Sequence, residues 1–395
     1  MYIRVIGKEI EFFKEKDVIL FGCGSCGIRA LEEFVKVGAN ILAFCDNNKD
    51  LIGKTLNGYG IISPENLKEY SDASILITST YEEEIENQLK KMKVKNYYRI
   101  KLGVLKETIP KELFHNQLLS DEKANQFIYD GLVGSKPFFV GRLGSVELEC
   151  LTHYLYFLDR TTLKLGEYPD NVKMMMNINA GFFPSEDNLL DDFCVLYEKG
   201  LGEMDFIWSM WFSKYEDKIY REYYKEKYIA EYNTTVFPIE CKNPWTSALK
   251  GKKVLVIHPF DISIQENFRM KNELFSNDKF MPDFELITLR AVQSIANTKT
   301  NYDNWFDALK DMEHQIDKID FDIALIGAGA YGLSLGAYVK QIGKKAIHVG
   351  GILQLFFGIK GKTWDKLNIY NEYWSSPKEE ERPKEFKKVE DGRYW

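Results

Sequence analysis

Between residues 17 and 100, short apolar runs alternate with amphipathic stretches. The runs are VILF (18–21), NILAFC (40–45), SILITST (74–80) and YYRI (97–100), and between them lie IRALEEFVKVG (28–38) and EEEIENQLKKM (82–92). Runs this short suit strands buried on both faces, and the intervening period of about 3.6 suits helices, so the pattern predicts a small parallel α/β domain. From Lys101 to Gly134 the chain turns polar and helical, with Pro110 as a breaker. A second alternation follows: PFFVGR (137–142), KKVLVIHPF (252–260), FELITLRA (284–291), FDIALIG (321–327) and KAIHVGG (345–351), with a helical, Tyr-rich middle around residues 214–228. The expected fold class is α/β with two Rossmann-like parallel-sheet domains, the second carrying helical insertions. The boundaries fall at 1–103, a helical connector at 104–134, and 135–395. The charged segment 375–395 contains two prolines and reads as a solvated arm, with Tyr394 and Trp395 able to dock on the body.

Composition narrows the function classes. A net charge of −7 argues against a nucleic-acid partner, since such proteins use a basic field to displace counterions. Hydrophobic residues at 45% and aromatics at 14%, with 26 Phe and 23 Tyr, supply cores and stacking surfaces. The six cysteines show no disulfide-framework spacing, no secretory apolar segment opens the chain, and the uncharged stretch Ile323–Val339 is short and glycine-rich for a membrane span. These features place the expected site of action in the cytoplasm.

Two loops have the spacing Gly-x-Gly-x-x-Gly. The first, Gly22, Gly24 and Gly27, follows a strand and opens a helix, and Asp46 stands 19 residues beyond Gly27, where a carboxylate meets ribose hydroxyls in dinucleotide sites. A turn kept only for helix–strand packing fits the same residues equally well. The Tyr/Lys pair of a sugar oxidoreductase is not identifiable, which argues against NAD. Cys23 and Cys26 sit in the same loop, but the flanking glycines already account for it.

The second loop, Gly327, Gly329 and Gly332 with Tyr331, lacks the following acid, and the next strand ends at His348 and Gly350. In a parallel sheet, ligands collect outside the carboxyl ends of the strands. There the sequence places Arg142, Gly144, Ser145 and Glu147 after PFFVG, His258 and Asp261 after VLVI, and Arg290 after LITL. A helix amino end, two arginines and two imidazoles describe an electropositive rim suited to a diphosphate. Glu147, Asp261 and His258 are the candidate general bases. Ser334 lacks the triad order of a hydrolase, and the five histidines lack zinc-ligand spacing.

The segments FVGRLGSVELE, NAGFFP, VLVIHPFDISIQENFR, LITLRAVQS and DIALIGAGAYGLSLGAYVKQIGKKAIHVGGILQLFFGIKGKTW, with the closing GRYW, resemble bacterial GT-D-fold glycosyltransferases of surface-polysaccharide clusters over about residues 120–395. The resemblance implies transfer of a sugar from a nucleotide-diphosphate donor to a glycan or lipid-linked acceptor, and leaves peripheral membrane association open. It also implies an Asp-x-Glu motif that assists donor and Mn²⁺ or Mg²⁺ binding. Its Glu corresponds to Glu147, the one residue implied as a metal ligand, and its Asp position is Ser145. That departure puts metal dependence in doubt and keeps a non-catalytic nucleotide-sugar-binding protein as the alternative. Residues 17–100 look like small Rossmann-type modules at the front of bacterial sugar-modifying enzymes, which leaves open a second nucleotide site or a homo-oligomerisation module.

Overall fold

The computed structural model describes residues 2–4, 10–79, 81–101, 118–157, 168–210, 213–224 and 226–395. The chain divides into two units, Met1–Thr108 and Ile109–Trp395. Each is an α/β unit built on a parallel-dominated sheet.

The first unit contains β1 (Tyr2–Arg4), β2 (Asp17–Phe21), β3 (Asn40–Cys45), β4 (Thr55–Leu56), β5 (Tyr59–Ile62), β6 (Ser74–Ile77) and β7 (Tyr97–Lys101). They lie in the order β1-β7-β6-β2-β3-β5-β4, parallel except for the β4–β5 hairpin. Alternation along β2 sends Val18 and Leu20 into one core with Phe13, Phe34 and Phe44, and Ile19 and Phe21 into another with Ile75, Ile77 and Leu89. Side chains of successive strand residues point to opposite faces, so a continuous apolar run is what a doubly covered strand requires.

The second unit contains β8 (Phe138–Arg142), β9 (Phe206–Ser209), β10 (Tyr228–Glu231), β11 (Lys253–His258), β12 (Glu285–Arg290), β13 (Ile323–Ile326) and β14 (Lys345–His348). The order is β10-β9-β8-β14-β13-β11-β12, and every pairing is parallel. The sequence pattern predicts five of these strands. β9 and β10 fall in the region expected to be mostly helical, where the helix Lys214–Tyr223 lies between them. The stretch expected as a connector carries the helix Asp121–Val133, whose Ala124, Ile128 and Leu132 are fully buried in the core of this second unit. Spacings of four place these three on one helix face, which packs on β8 and β10.

Segment 375–395 is packed onto the second unit. Glu381 is buried, and its carboxylate accepts the amides of Ile262 and Ser263 at 2.8 and 3.1 Å, capping the helix Asp261–Phe268. A carboxylate at a helix amino end satisfies unpaired N–H groups and meets the positive end of the helix dipole. Further along, Thr363 and Gln354 tie down the backbone of Arg393 and Tyr394, and Trp395 packs edge-on against Phe260 with ring centres 6.0 Å apart. The expected solvated arm is therefore corrected to a docked strap.

Candidate functional site

Adjacent strands β8, β14, β13 and β11 end side by side, and beyond them opens a cavity of about 410 Å³ within the second unit. Of the expected residues, Arg142, Gly144, Ser145, Glu147, His258, Gly327, Gly329, Tyr331 and Gly350 line it. They come from four strand ends spread over more than 200 residues of sequence, and parallel topology brings them to one edge.

Arg142 dominates the electrostatics. Its guanidinium packs on Gly350, whose φ is +73°, and a Cβ there would lie 2.6 Å from both Nε and Nη2. The Tyr232 ring stands 5.3 Å from the guanidinium carbon. Nη1 donates to the Leu143 carbonyl at 3.3 Å and lies 3.7 Å from Met210 Sδ, whereas the buried Nε has no partner. No carboxylate lies within ion-pair distance of Arg142 among the described residues. Burial pulls the guanidinium pKa down, but the surrounding Tyr232, Glu147, Tyr394 and Tyr197 outweigh it and hold the pKa up, so the charge stays. A buried charge without a counter-ion is costly, and an anion in the cavity would remove that cost.

Glu147 lies in the first turn of the helix Ser145–Thr152 and folds back over Gly144, with its Oε2 1.9 Å from where a Gly144 Cβ would stand. Burial raises its pKa, and Arg142 and its own amide oppose the rise. His258 accepts the Phe260 amide through Nδ1 at 3.0 Å, so the neutral ring carries its proton on Nε2. Its pKa is pushed down to about 3 by burial. His258 therefore enters the site as an uncharged hydrogen-bond donor, which removes it as a base and from the expected positive rim.

Four expected residues lie elsewhere. Arg290, at the end of the sheet-edge strand β12, pairs with Asp261 at 2.6 Å, and neither lines the cavity. His348 is buried behind the glycine loop, 3.3 Å from the Ile326 carbonyl, with its pKa pushed down to about 3 by burial and by Arg142. Gly332 faces that ring rather than the cavity, and a Cβ there would stand 2.1 Å from His348 Cε1. The loop amides are largely consumed: Gly327 bonds Ile257, Ala330 bonds Ala180, Tyr331 bonds Ala328 and Gly332 bonds Gly329. Among the described residues, no such bond is found for the amides of Ala328 and Gly329.

Other lining residues were not among the expected site residues. Tyr232 follows β10, and Asn179, Gln293 and Ser294 come from loops. Glu390, Arg393, Tyr394 and Trp395 arrive on the strap. GRYW hints at these last residues only through its density of aromatic side chains.

The donor set does not fit a protein-built divalent-cation site. Ser145 offers a hydroxyl and no carboxylate, Glu147 lies in the field of a guanidinium, and among the described residues no group of three His, Cys, Asp or Glu is arranged to hold a metal.

In the first unit, the carboxylate of the expected nucleotide loop bonds its own backbone. Asp46 accepts the Cys23 amide through Oδ2 and the Asn48 amide through Oδ1, both at 2.8 Å. Gly27 lies where a Cβ would meet the Gly22 carbonyl oxygen at 1.9 Å, Gly22 has φ +125°, and Gly24 faces open space. Burial and Asp46 push the Cys23 thiol pKa up to about 12, the opposite of a reactive thiolate.

Fold and cavity together define a two-unit parallel α/β protein whose second unit holds a crevice lined by Arg142, Arg393, Glu147 and Glu390. A family model described as C2185-like, N-terminal matches residues 14–100, within the first unit. No curated protein matches the chain. Among solved structures, the chain is similar to one described as a new glycosyltransferase, domain of unknown function 1792, from Streptococcus sanguinis (9% identity, TM-score 0.38, covering 64% of this chain and 85% of that one). Two further structures of the same domain are similar at 13% identity. One is a selenomethionine-substituted form (TM-score 0.35, 67% and 84% covered), and the other is described as having a distinct glycosyltransferase fold (TM-score 0.40, 73% and 91%). At such scores the superpositions are partial, and the chemistry of the cavity rests on its own residues. Among the described residues, no helix is long and apolar enough to cross a membrane.

Proposed function

We propose that the second unit binds the diphosphate of a nucleotide-sugar and transfers the sugar to a hydroxyl of a glycan or lipid-linked acceptor, acting in the cytoplasm. The supporting observation is Arg142, a guanidinium at the floor of a 410 Å³ cavity with no carboxylate partner among the described residues. Charge builds on the diphosphate as the bond to the anomeric carbon breaks, and a fixed guanidinium in a water-poor site stabilises that charge without reorganising. Nε2–H of neutral His258 and the amides of Ala328 and Gly329 are further donors for the leaving oxygens. The acceptor oxygen attacks the anomeric carbon, the electron pair of the broken bond leaves on the diphosphate, and the acceptor proton passes to the Glu147 carboxylate. Glu147 is the one of the three expected bases that both lines the cavity and has a carboxylate free of an ion pair, and its raised pKa brings it closer to the operating pH of a general base.

Thermal shift against UDP-, GDP-, CMP- and dTDP-sugars, with and without Mn²⁺, followed by product analysis, tests this reading. A shift with one donor class and sugar release to an acceptor is the expected result. A shift with no turnover under any condition assigns a binding protein instead, and no shift with any nucleotide removes the diphosphate site.

A further inference from the structure

Gly350 and Gly351 form the floor of the cavity, and a different side chain packs on each. Arg142 lies on Gly350, and the Tyr394 ring lies on Gly351, with its Cε1 2.5 Å from where a Cβ would stand. This places Arg393, one residue before Tyr394, in the same cavity as Arg142. Arg393 Nε donates to Thr363 Oγ1 at 2.7 Å and Nη1 pairs with Glu390, and no bond to Nη2 is found among the described residues. The side chain is 39% exposed, so it reaches both the strap and open cavity. Arg142 is close enough to lower the proton affinity of Arg393, and no carboxylate bridges the two guanidinium groups among the described residues. Like charges facing one small, partly desolvated space repel, and an anion lying between them reverses the sign of that interaction. Both histidines are neutral, so these arginines are the fixed cations of the cavity.

We propose that Arg393, carried in by the strap, is the second cationic group of the diphosphate site and acts where a divalent cation would otherwise bridge the two phosphates. The inference rests on reading the cavity as a diphosphate site. A planar guanidinium with one unused Nη suits a phosphate oxygen, and its bonds to Thr363 and Glu390 fix its direction before ligand arrives. The strap is then part of the binding site, not only a cover for the sheet.

Calorimetric titration of the full chain with inorganic pyrophosphate in excess EDTA tests this. Wild-type protein should bind without added metal. Arg142→Ala and Arg393→Ala should each weaken binding by about tenfold to a hundredfold, the range expected for losing a charged hydrogen bond, and Arg393→Lys should recover part of the loss. Glu390→Gln should tighten binding, because it removes the anion that competes for Arg393. Near-ultraviolet circular dichroism on each variant reports whether the Tyr394 and Trp395 packing is kept. If Arg393→Ala binds like wild type while Arg142→Ala does not, the role of Arg393 falls and the diphosphate reading stands. If Glu390→Gln weakens binding as much as Arg393→Ala, the pair only holds the strap and the inference is again overturned. If binding appears only with Mn²⁺ or Mg²⁺, the replacement of a cation falls, and if wild type binds pyrophosphate under no condition, the diphosphate site itself falls.

Discussion

In the first unit the carboxylate beside the glycine loop is engaged by its own turn, with each Asp46 oxygen accepting one backbone amide. In the second unit the loop has no acid, yet it shares its cavity with a guanidinium whose Nε has no partner among the described residues. Both loops follow a strand and precede a helix, with identical glycine spacing. A glycine pattern thus reports a tight strand-to-helix turn in both units, and what differs between them is the charged side chain that the fold brings near it.

The largest expected effect lies in that contrast. Arg142→Ala should cut the thermal stabilisation by a nucleoside diphosphate from roughly 2.7 kcal/mol, at 100 times the wild-type Kd, to about 0.4–1.4 kcal/mol, while Asp46→Ala should leave that stabilisation in place and loosen only the first unit. Differential scanning fluorimetry of both variants, with and without ligand, checks this. An equal loss in both would mean the loops are functionally alike.

Glycine-to-alanine substitutions sharpen the comparison at a smaller scale. Gly332→Ala drives a methyl into the His348 ring and should cost about 1–3 kcal/mol in the second unit, the usual range for overpacking. Gly27→Ala meets a backbone carbonyl that has less freedom to move, and should destabilise the first unit without changing pyrophosphate binding. Urea melts with each variant, read beside pyrophosphate titration, separate the two.

Acid sensitivity should also divide the units. His258 and His348 both titrate near 3 in the fold against 6.5 ordinarily, so the unfolded chain takes up protons first. Their contribution is fully present above pH 6.5 and is lost as pH falls toward 3, with a limiting slope of roughly 1.4 kcal/mol per pH unit for each ring. His258→Gln should flatten that slope in the second unit. Both rings belong to the second unit. Glu147 has the opposite sign, since its raised pKa gives stability below the ordinary carboxylate range that is lost as pH rises through the folded value. Glu147→Gln should therefore be slightly more stable than wild type near neutral pH, the smallest effect predicted here.

Strand runs such as VILF and KVLVI were legible because both faces of their sheets are covered, so the apolar run is unbroken. FIWS in β9 is equally buried but lies among helical periodicity, which hid it. Arg142, Glu147, His258 and Gly327–Gly329 were legible as a site because strand ends in a parallel sheet share one edge. Arg290 was misplaced because strand order is not written in local sequence, and β12 turned out to be the outermost strand. The histidine charges were misjudged because burial, which neutralises them, depends on neighbours far along the chain. The strap was hidden by its composition: its anchors are one carboxylate on a helix end and a few rings within an otherwise charged run.

Glu381 and the residues after it follow all seven strands of the second sheet in sequence. During synthesis the sheet can assemble while the strap is still inside the ribosome, and domains fold as the chain emerges. The nascent chain would then own its scaffold before its strap, and a cleavage just upstream of residue 381 would yield a product without the Glu381 cap and without Arg393.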